Sequence, residues 1–494
     1  MRANLLLCSA FWLCASFCLH AQQLDAPANF SVAPATREAI RNLIGETMLN
    51  GKSYDYAREL ADGIGPRLTG SANYVRAVTW AQEQFRALGL VDVHTENWTI
   101  AATWEPDIPA VGHIVTPVDH TLHIYAAGWS PSTKQGGVNG KVIYIPSLDL
   151  PALDAQRAEL AGAIALVDDA TLAKSPTTDK LFSGLEHLRS FSVAAILLPG
   201  GPNGTEELDC YSYTGAIDLV PEAEIGEEDV LLVRRLLQHG PVTVEFTLKN
   251  RIHRDVQISN VVAEIPGAEL SQEVVLVGAH LDSWQPGTGA QDNGTGVAGL
   301  LETARAIQAL HRPPKRTIRF VLFGGEEEGM LGSTAYARQH RADMGKIDAV
   351  LITDSGSEPA KGWYVMGRES EREPLAAISP LLAELGADGV SLDTQYIFET
   401  DHIGFEVLGV PTLVLWTGMD KYMNLHHKAS DTFDSIIPKD LAQGTSVIAI
   451  AAYALADSSR SFAPHLSSEE VDSMFRQSGH FDEYEYLKKV GALP

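Results

Sequence analysis

The chain has 494 residues, 45% of them hydrophobic and 20% charged, which is enough for two or three domains with full cores. Its 37 Lys and Arg against 63 Asp and Glu give a formal net charge of −26, which argues against nucleic acid and anionic membranes as partners. A solubilising surface accounts for most of that charge, and bound cations would cancel part of it.

The N-terminus reads as a signal peptide over residues 1–21. Arg2 supplies the positive start, and residues 5–19 form an apolar run too short to span a bilayer comfortably. Ala21 marks the cleavage position, although Leu19 departs from the small-residue rule. The expected location is therefore secreted or periplasmic, with no stable membrane association. Cys8, Cys14 and Cys18 lie inside this segment, so Cys210 remains alone and can form no internal disulfide. The mature fold must rest on its core and on metal. Glycosylation sequons stand at Asn29, Asn97, Asn203 and Asn293, the last better explained by the loop it sits in.

Residues 35–49 and 53–62 predict helices, and 63–70 predict a loop from their Gly and Pro content. Ser71 is a good N-cap for a helix to about residue 88, with Ala77, Trp80, Ala81, Phe85 and Leu88 on one face. Gly89 stops it, and 91–100 predict a strand. From 107 to 250 the pattern changes to short apolar runs between Gly and Pro, which predicts an inserted β-rich domain. Strand–helix alternation resumes from 256. Residues 274–279 read as a strand buried on both faces, 294–310 as a helix, and 317–323, 346–353 and 412–416 as further strands. Residues 438–455 predict a helix opened by Pro438, and the tail 461–494 is acidic and partly helical. This alternation predicts a mixed, mostly parallel α/β sheet flanked by helices.

Five metal-type side chains each follow one of these apolar runs. They are His280, Asp292, Glu327, Asp354 and His427. In open α/β sheets ligands gather beyond the carboxyl ends of the strands, so residues far apart in sequence can converge there. Two imidazoles and three carboxylates suit two zinc ions per chain. Asp292, in a Gly-rich loop, is the natural bridge because each of its oxygens can serve one ion. Asp282, two residues after His280, would orient that ring. In the pair Glu326-Glu327, one carboxylate can hold metal while the other reaches the water that the metal activates.

Together, H-L-D-S, D-N-G-T-G, G-E-E-x-G-x-x-G-S, a strand-end Asp354 and H-x-x-x-D-T resemble the dizinc aminopeptidase and glutamate carboxypeptidase family. Gly65 to Ser71, Asn260 to Gly267 and Thr400-Asp401-His402 look like further segments of it, and coverage runs from about residue 50 to 455. The resemblance implies that His280 and Asp354 hold one zinc, Glu327 and His427 the other, and that Asp292 bridges them. It makes Glu326 the general base and acid and Asp431 a support of the site; Glu328, third in the acidic run, reads as a solvated bystander. The resemblance implies a cis peptide at Asp292–Asn293. It also makes 22–106 and 251–460 two parts of one peptidase domain, with 107–250 as a protease-associated-like insert. Glu399 departs from the pattern, since some relatives place a tyrosine there that helps the oxyanion. Tyr422 is one candidate for that task.

The implied activity is hydrolysis of peptide bonds near a free terminus, or in dipeptides, by metal-activated water. Aminopeptidase, carboxypeptidase and dipeptidase action all remain open, as does a homodimer. An aminoacylase or glutaminyl-cyclase type of reaction on the same site is the alternative. A non-catalytic binding module is the other rival, weakened because every metal residue is present. His426 reads as a residue that packs or hydrogen-bonds near the site rather than a ligand, and His402 is open to either a structural or a site role. Gly294 to Gly299 satisfies the dinucleotide fingerprint G-x-G-x-x-G but lies behind a ligand-bearing loop rather than at a strand end, so no nucleotide is expected.

Overall fold

Strand Leu270–His280 is the axis of the molecule. Its residues from Val274 onward are all buried, and they alternate between two cores. Val275, Val277 and Ala279 face one side, while Val274 and Leu276 face the other. Such a strand must have neighbours on both edges and layers on both faces. It pairs in parallel with Arg316–Phe323 and with Ile347–Ile352, and the latter pairs in parallel with Thr412–Trp416. Helices Thr295–Ala309 and Pro438–Ala456 belong to one core, where Val297, Leu301, Ile448 and Tyr453 pack. Helix Leu331–Gln339 and the C-terminal helices Ser468–Ser478 and Phe481–Val490 belong to the other, with Phe475 and Tyr484 stacked at 4.3 Å. The fold is a mixed, mostly parallel α/β sheet flanked by helices.

This computed structural model describes residues 31–494 except 176, 203–205 and 207–208. The segment expected to be a signal peptide, with its three cysteines, and the sequons at Asn29 and Asn203 lie outside the described residues. Among the described residues no helix is long and apolar enough to cross a membrane.

The helix cap at Ser71 forms as expected: its hydroxyl accepts the Tyr74 N–H at 3.1 Å, opening helix Ala72–Ala87. The strand after it runs far beyond residue 100, as Val91–Thr116. It forms an antiparallel ribbon with Thr243–Ile265, and Pro106 lies opposite Asn250. The two positions where the composition changes thus face each other across one ribbon. Register shifts between Pro106 and Val111 bend it there.

The segment beyond the ribbon corrects the expectation of a β-rich insert. Strands Val138–Tyr144, Ile164–Leu166, Ala195–Pro199 and Glu222–Ile225 are successively parallel, and helices Leu150–Leu160, Thr178–Arg189 and Glu227–Leu237 lie among them. The first of these helices buries only Leu153 and Leu160, so its apolar period is too weak to read.

Arg67, in the loop 63–70, is completely buried and ties that loop to the strand end. Its guanidinium donates to the carbonyls of Leu281 (2.7 Å), Thr288 (2.8 Å) and Gly289 (3.0 Å). Burial pulls its pKa down to about 10, offset in part by Asp431 and Asp282, so it stays charged at neutral pH. Removing it would orphan three buried carbonyls. Arg67→Met is expected to lose about 3–5 kcal/mol of stability, and Arg67→Lys to recover only part of it because the fork is lost. Denaturant midpoints of the three proteins check this; equal midpoints would remove Arg67 as a support.

Candidate active site

All five metal-type residues come together at the carboxyl ends of the parallel strands. His280 is the last residue of its strand, and Asp354 follows Ile352 by two positions. Glu326 and Glu327 lie in the turn after Phe323, where Gly325 and Gly329 take positive φ and Gly329 N–H closes onto the Glu326 carbonyl at 2.8 Å. His427 follows the short helix Asp420–Leu425.

The Asp292 carboxylate lies between the two imidazoles. Its Oδ1 is 3.1 Å from His280 Nε2, and its Oδ2 is 3.5 Å from His427 Nε2. Asp354 Oδ1 is 3.2 Å from the same His280 nitrogen, and Glu327 Oε2 is 3.0 Å from the same His427 nitrogen. The edge of a tetrahedron with zinc–ligand bonds of 2.0–2.1 Å is about 3.3 Å. The spacing of these atoms is therefore that of donors around a small cation.

The surrounding residues hold these donors. Asp431 accepts the N–H groups of Gln291 (2.7 Å) and Asp292 (3.0 Å), which fixes the loop around Asp292. Asp282 Oδ2 accepts from Thr69 Oγ1 (2.9 Å) and from the Glu327 N–H (3.3 Å). Its other oxygen is 3.6 Å from His280 Nδ1, but the nearer partner of that nitrogen is the Asp282 carbonyl at 3.1 Å. The Trp284 N–H donates to Glu327 Oε1 at 3.2 Å. The Asp292–Asn293 peptide is cis. Asn293 is buried, donates to the Thr353 carbonyl at 2.7 Å and accepts from the Gly296 N–H at 3.0 Å, so its sequon is not accessible.

Charge explains why these groups call for cations. Burial and neighbouring carboxylates push the Glu326 carboxyl well up, and burial with Asp292 lifts Glu327 to about 7. Burial lowers the His427 imidazole, but Glu327 beside it more than reverses this, to about 9. Burial likewise opposes protonation of His280, and Asp354 with Glu326 overcomes it. Protons on carboxyls and imidazoles here offset crowded negative charge, a task that bound cations would take over.

Not every expectation holds. Glu328 is no solvated bystander: it is fully buried. Burial and the charge of Asp282 push its carboxyl well above the usual range. The turn that aims Glu326 at the cleft turns Glu328 inward, a reversal that three like letters in a row do not reveal. The His426 ring stacks on His427 at 3.6 Å, and its Nε2 lies 3.6 Å from Asp292 Oδ2, so that Asp292, His426 and His427 also form a group that could hold a metal ion. Burial and the charge of His427 lower its pKa to about 3, so it is neutral. His402 is fully buried and does not line the cleft. Tyr422 does line it, with its hydroxyl 3.5 Å from Asp354 Oδ1.

Asp209 and Tyr213, from the segment beyond the ribbon, also line the cleft, and Asp209 Oδ1 is 4.0 Å from His427 Nδ1. Sequence reading missed both, since no motif surrounds them and the link to His427 spans more than two hundred residues. Cys210 beside them is a buried free thiol, 3.0 Å from the Ser212 carbonyl.

Comparisons with known proteins agree with this geometry. The model of peptidase family M28 matches residues 260–452, which contain all five metal-type residues and Glu326. Mouse carboxypeptidase Q is 29% identical over 428 residues, covering 85% of this chain and 89% of its own. The crystal structure of a peptidase M28 precursor from Shewanella amazonensis superposes with a TM-score of 0.78 at 28% identity, covering 88% of this chain and 99% of that one. A zinc aminopeptidase from Bacillus subtilis shares the fold, with a TM-score of 0.61 at 22% identity over 81% of this chain and 93% of its own. The motif match over residues 260–452, the long relatives and the shared fold point the same way: the chain is similar to peptidase family M28, and it is a zinc-dependent peptidase.

Proposed function

We propose that the protein is an exported exopeptidase or dipeptidase working with two zinc ions per chain. The observation that carries this reading is the split of the Asp292 carboxylate, one oxygen toward His280 and the other toward His427. His280 and Asp354 would hold one ion, Glu327 and His427 the other, and Asp292 would bridge them. When bound, the ions acidify water and polarise the scissile carbonyl.

Glu326 lines the cleft without an imidazole partner at ion-pair distance among the described residues, unlike the other cleft carboxylates of the metal set. It is the group free to take the proton of the attacking water and return it to the leaving amine. Burial, which raises its affinity for a proton, suits it to both steps. Tyr422 can donate its hydroxyl to the developing oxyanion from the Asp354 side. Asp282 and Asp431 are positioning residues: one holds the Glu327 backbone, the other the Asp292 loop. Export is supported by the apolar run 5–19 and by the single cysteine outside it.

Two experiments test the assignment. Glu326→Gln is expected to keep both ions while losing about 10²–10⁴-fold in kcat on a dipeptide panel; retained turnover would sink its role. Metal analysis after chelation and zinc reloading is expected to give two ions per chain in the wild type. Asp354→Ala should then lose one ion and Asp292→Ala both. A wild type saturating at one ion, or equal losses in the two variants, would contradict the bridge.

A further inference from the structure

The two imidazoles of the metal set are aimed in different ways. His280 ends strand Leu270–His280, and its Nδ1 leans on the Asp282 carbonyl at 3.1 Å. His427 instead follows a short helix and takes a φ of 57°, a left-handed conformation that residues other than Gly rarely adopt. Glu327, assigned above to the same ion as His427, lies in a turn, where its Oε1 accepts the Trp284 N–H at 3.2 Å. The Trp284 ring lies against the His427 ring at 5.8 Å. One buried residue therefore touches both groups, through its backbone on one side and its indole on the other.

Trp284 is in turn held from the ribbon and the segment beyond it. Its ring meets that of Trp129 edge-on at 6.1 Å, and Trp129 stacks on Trp104 at the same spacing. Those two indoles are anchored to backbone: Trp104 Nε1 donates to the Ser130 carbonyl at 2.8 Å, and Trp129 Nε1 to the Ala102 carbonyl at 2.9 Å. Trp129 also takes a left-handed φ, of 59°, a position that persists only where the surroundings over-determine it. Gly128 leaves no slack beside it. A Cβ there would stand 2.4 Å from Trp284 Cη2 and 2.8 Å from the Asp209 carbonyl oxygen, which accepts the Gly128 N–H at 3.0 Å. The same stretch reaches the His427 loop twice more: Asp209 Oδ1 is 4.0 Å from His427 Nδ1, and the Glu206 carbonyl accepts the Ala429 N–H at 3.2 Å.

We infer that Trp284 is a positioning residue for the metal position of Glu327 and His427, and that the segment beyond the ribbon sets the zinc affinity of that position through Gly128 and Trp129. The indole fixes the wall behind His427 and, by pinning its own backbone, the N–H that orients Glu327. The position of His280 and Asp354 is built on strand ends and does not depend on this row. The two positions therefore differ in how they lose zinc: displacing the segment beyond the ribbon empties one and spares the other. This inference rests on the two-ion reading above.

The test measures zinc affinity, by competition with a chelating indicator, in two full-length backgrounds. Asp354→Ala retains the position of Glu327 and His427, and His427→Ala retains that of His280 and Asp354. Gly128→Ala, Trp284→Leu and Trp284→Phe are added to each, and the thermal midpoint of every metal-free protein is recorded. In the Asp354→Ala background, Gly128→Ala and Trp284→Leu are each expected to weaken zinc binding about tenfold to hundredfold, and Trp284→Phe to restore most of it. In the His427→Ala background all three should leave the affinity within about twofold. Equal weakening in both backgrounds would mean a general loosening and would overturn the inference, as would unchanged affinity in the first. Gly128→Ala adds volume and Trp284→Leu removes it, so either decides the case if the other fails to fold. Collapse of both would make the row a plain core element and would also overturn it. Failure of the Asp354→Ala protein to bind any zinc would instead overturn the two-ion reading.

Discussion

Crowded, buried negative charge is the constraint on which this structure turns. Asp292, Glu326, Glu327 and Asp354 meet within one cleft, with Asp282 behind them, and among the described residues the partners within ion-pair distance of the metal set are the imidazoles of His280, His427 and His426. Burying several carboxylates together is costly unless positive charge joins them. The parallel strands bring these groups together by ending at one edge, and the Asp292 carboxylate between His280 and His427 sets where the positive charge belongs.

The supporting residues follow from that constraint. A bridging carboxylate can serve two cations only if its loop is held still. Arg67 grips the carbonyls before it, and Asp431 grips the N–H groups of Gln291 and Asp292. Asp282 connects the other two sides, touching the His280 ring and holding the Glu327 N–H. The two residues that anchor the Asp292 loop lie far from it in sequence, so the site depends on the sheet as a whole rather than on any local motif. The same logic extends across the ribbon, where the tryptophan row and the Glu206–Ala429 bond seat Asp209 beside the metal residues.

Legibility in the sequence tracked locality. The strands at 274–279, 317–323 and 412–416 could be read because their apolar runs are continuous, and the metal-type residues could be read because each follows such a run. Asp431 was legible as the fourth residue after His427. What depended on distant packing was not. The grip of Arg67 on Leu281 joins positions more than two hundred residues apart, and nothing near Asp209 marks it as facing His427. Glu328 was misread because exposure is the default for a glutamate, and only the tight turn at Gly325 and Gly329 sends it inward. The first helix beyond the ribbon was missed because it buries only Leu153 and Leu160, leaving the strands as the stronger local signal.

The central claim is that the Asp292 carboxylate separates two metal positions. Crystals of the zinc-loaded protein, measured on both sides of the zinc absorption edge, test it most directly. The expected map has two anomalous peaks about 3.5–4 Å apart, one beside His280 and Asp354 and one beside Glu327 and His427, with Asp292 between them. A single peak, or a second peak away from these residues, would contradict the account.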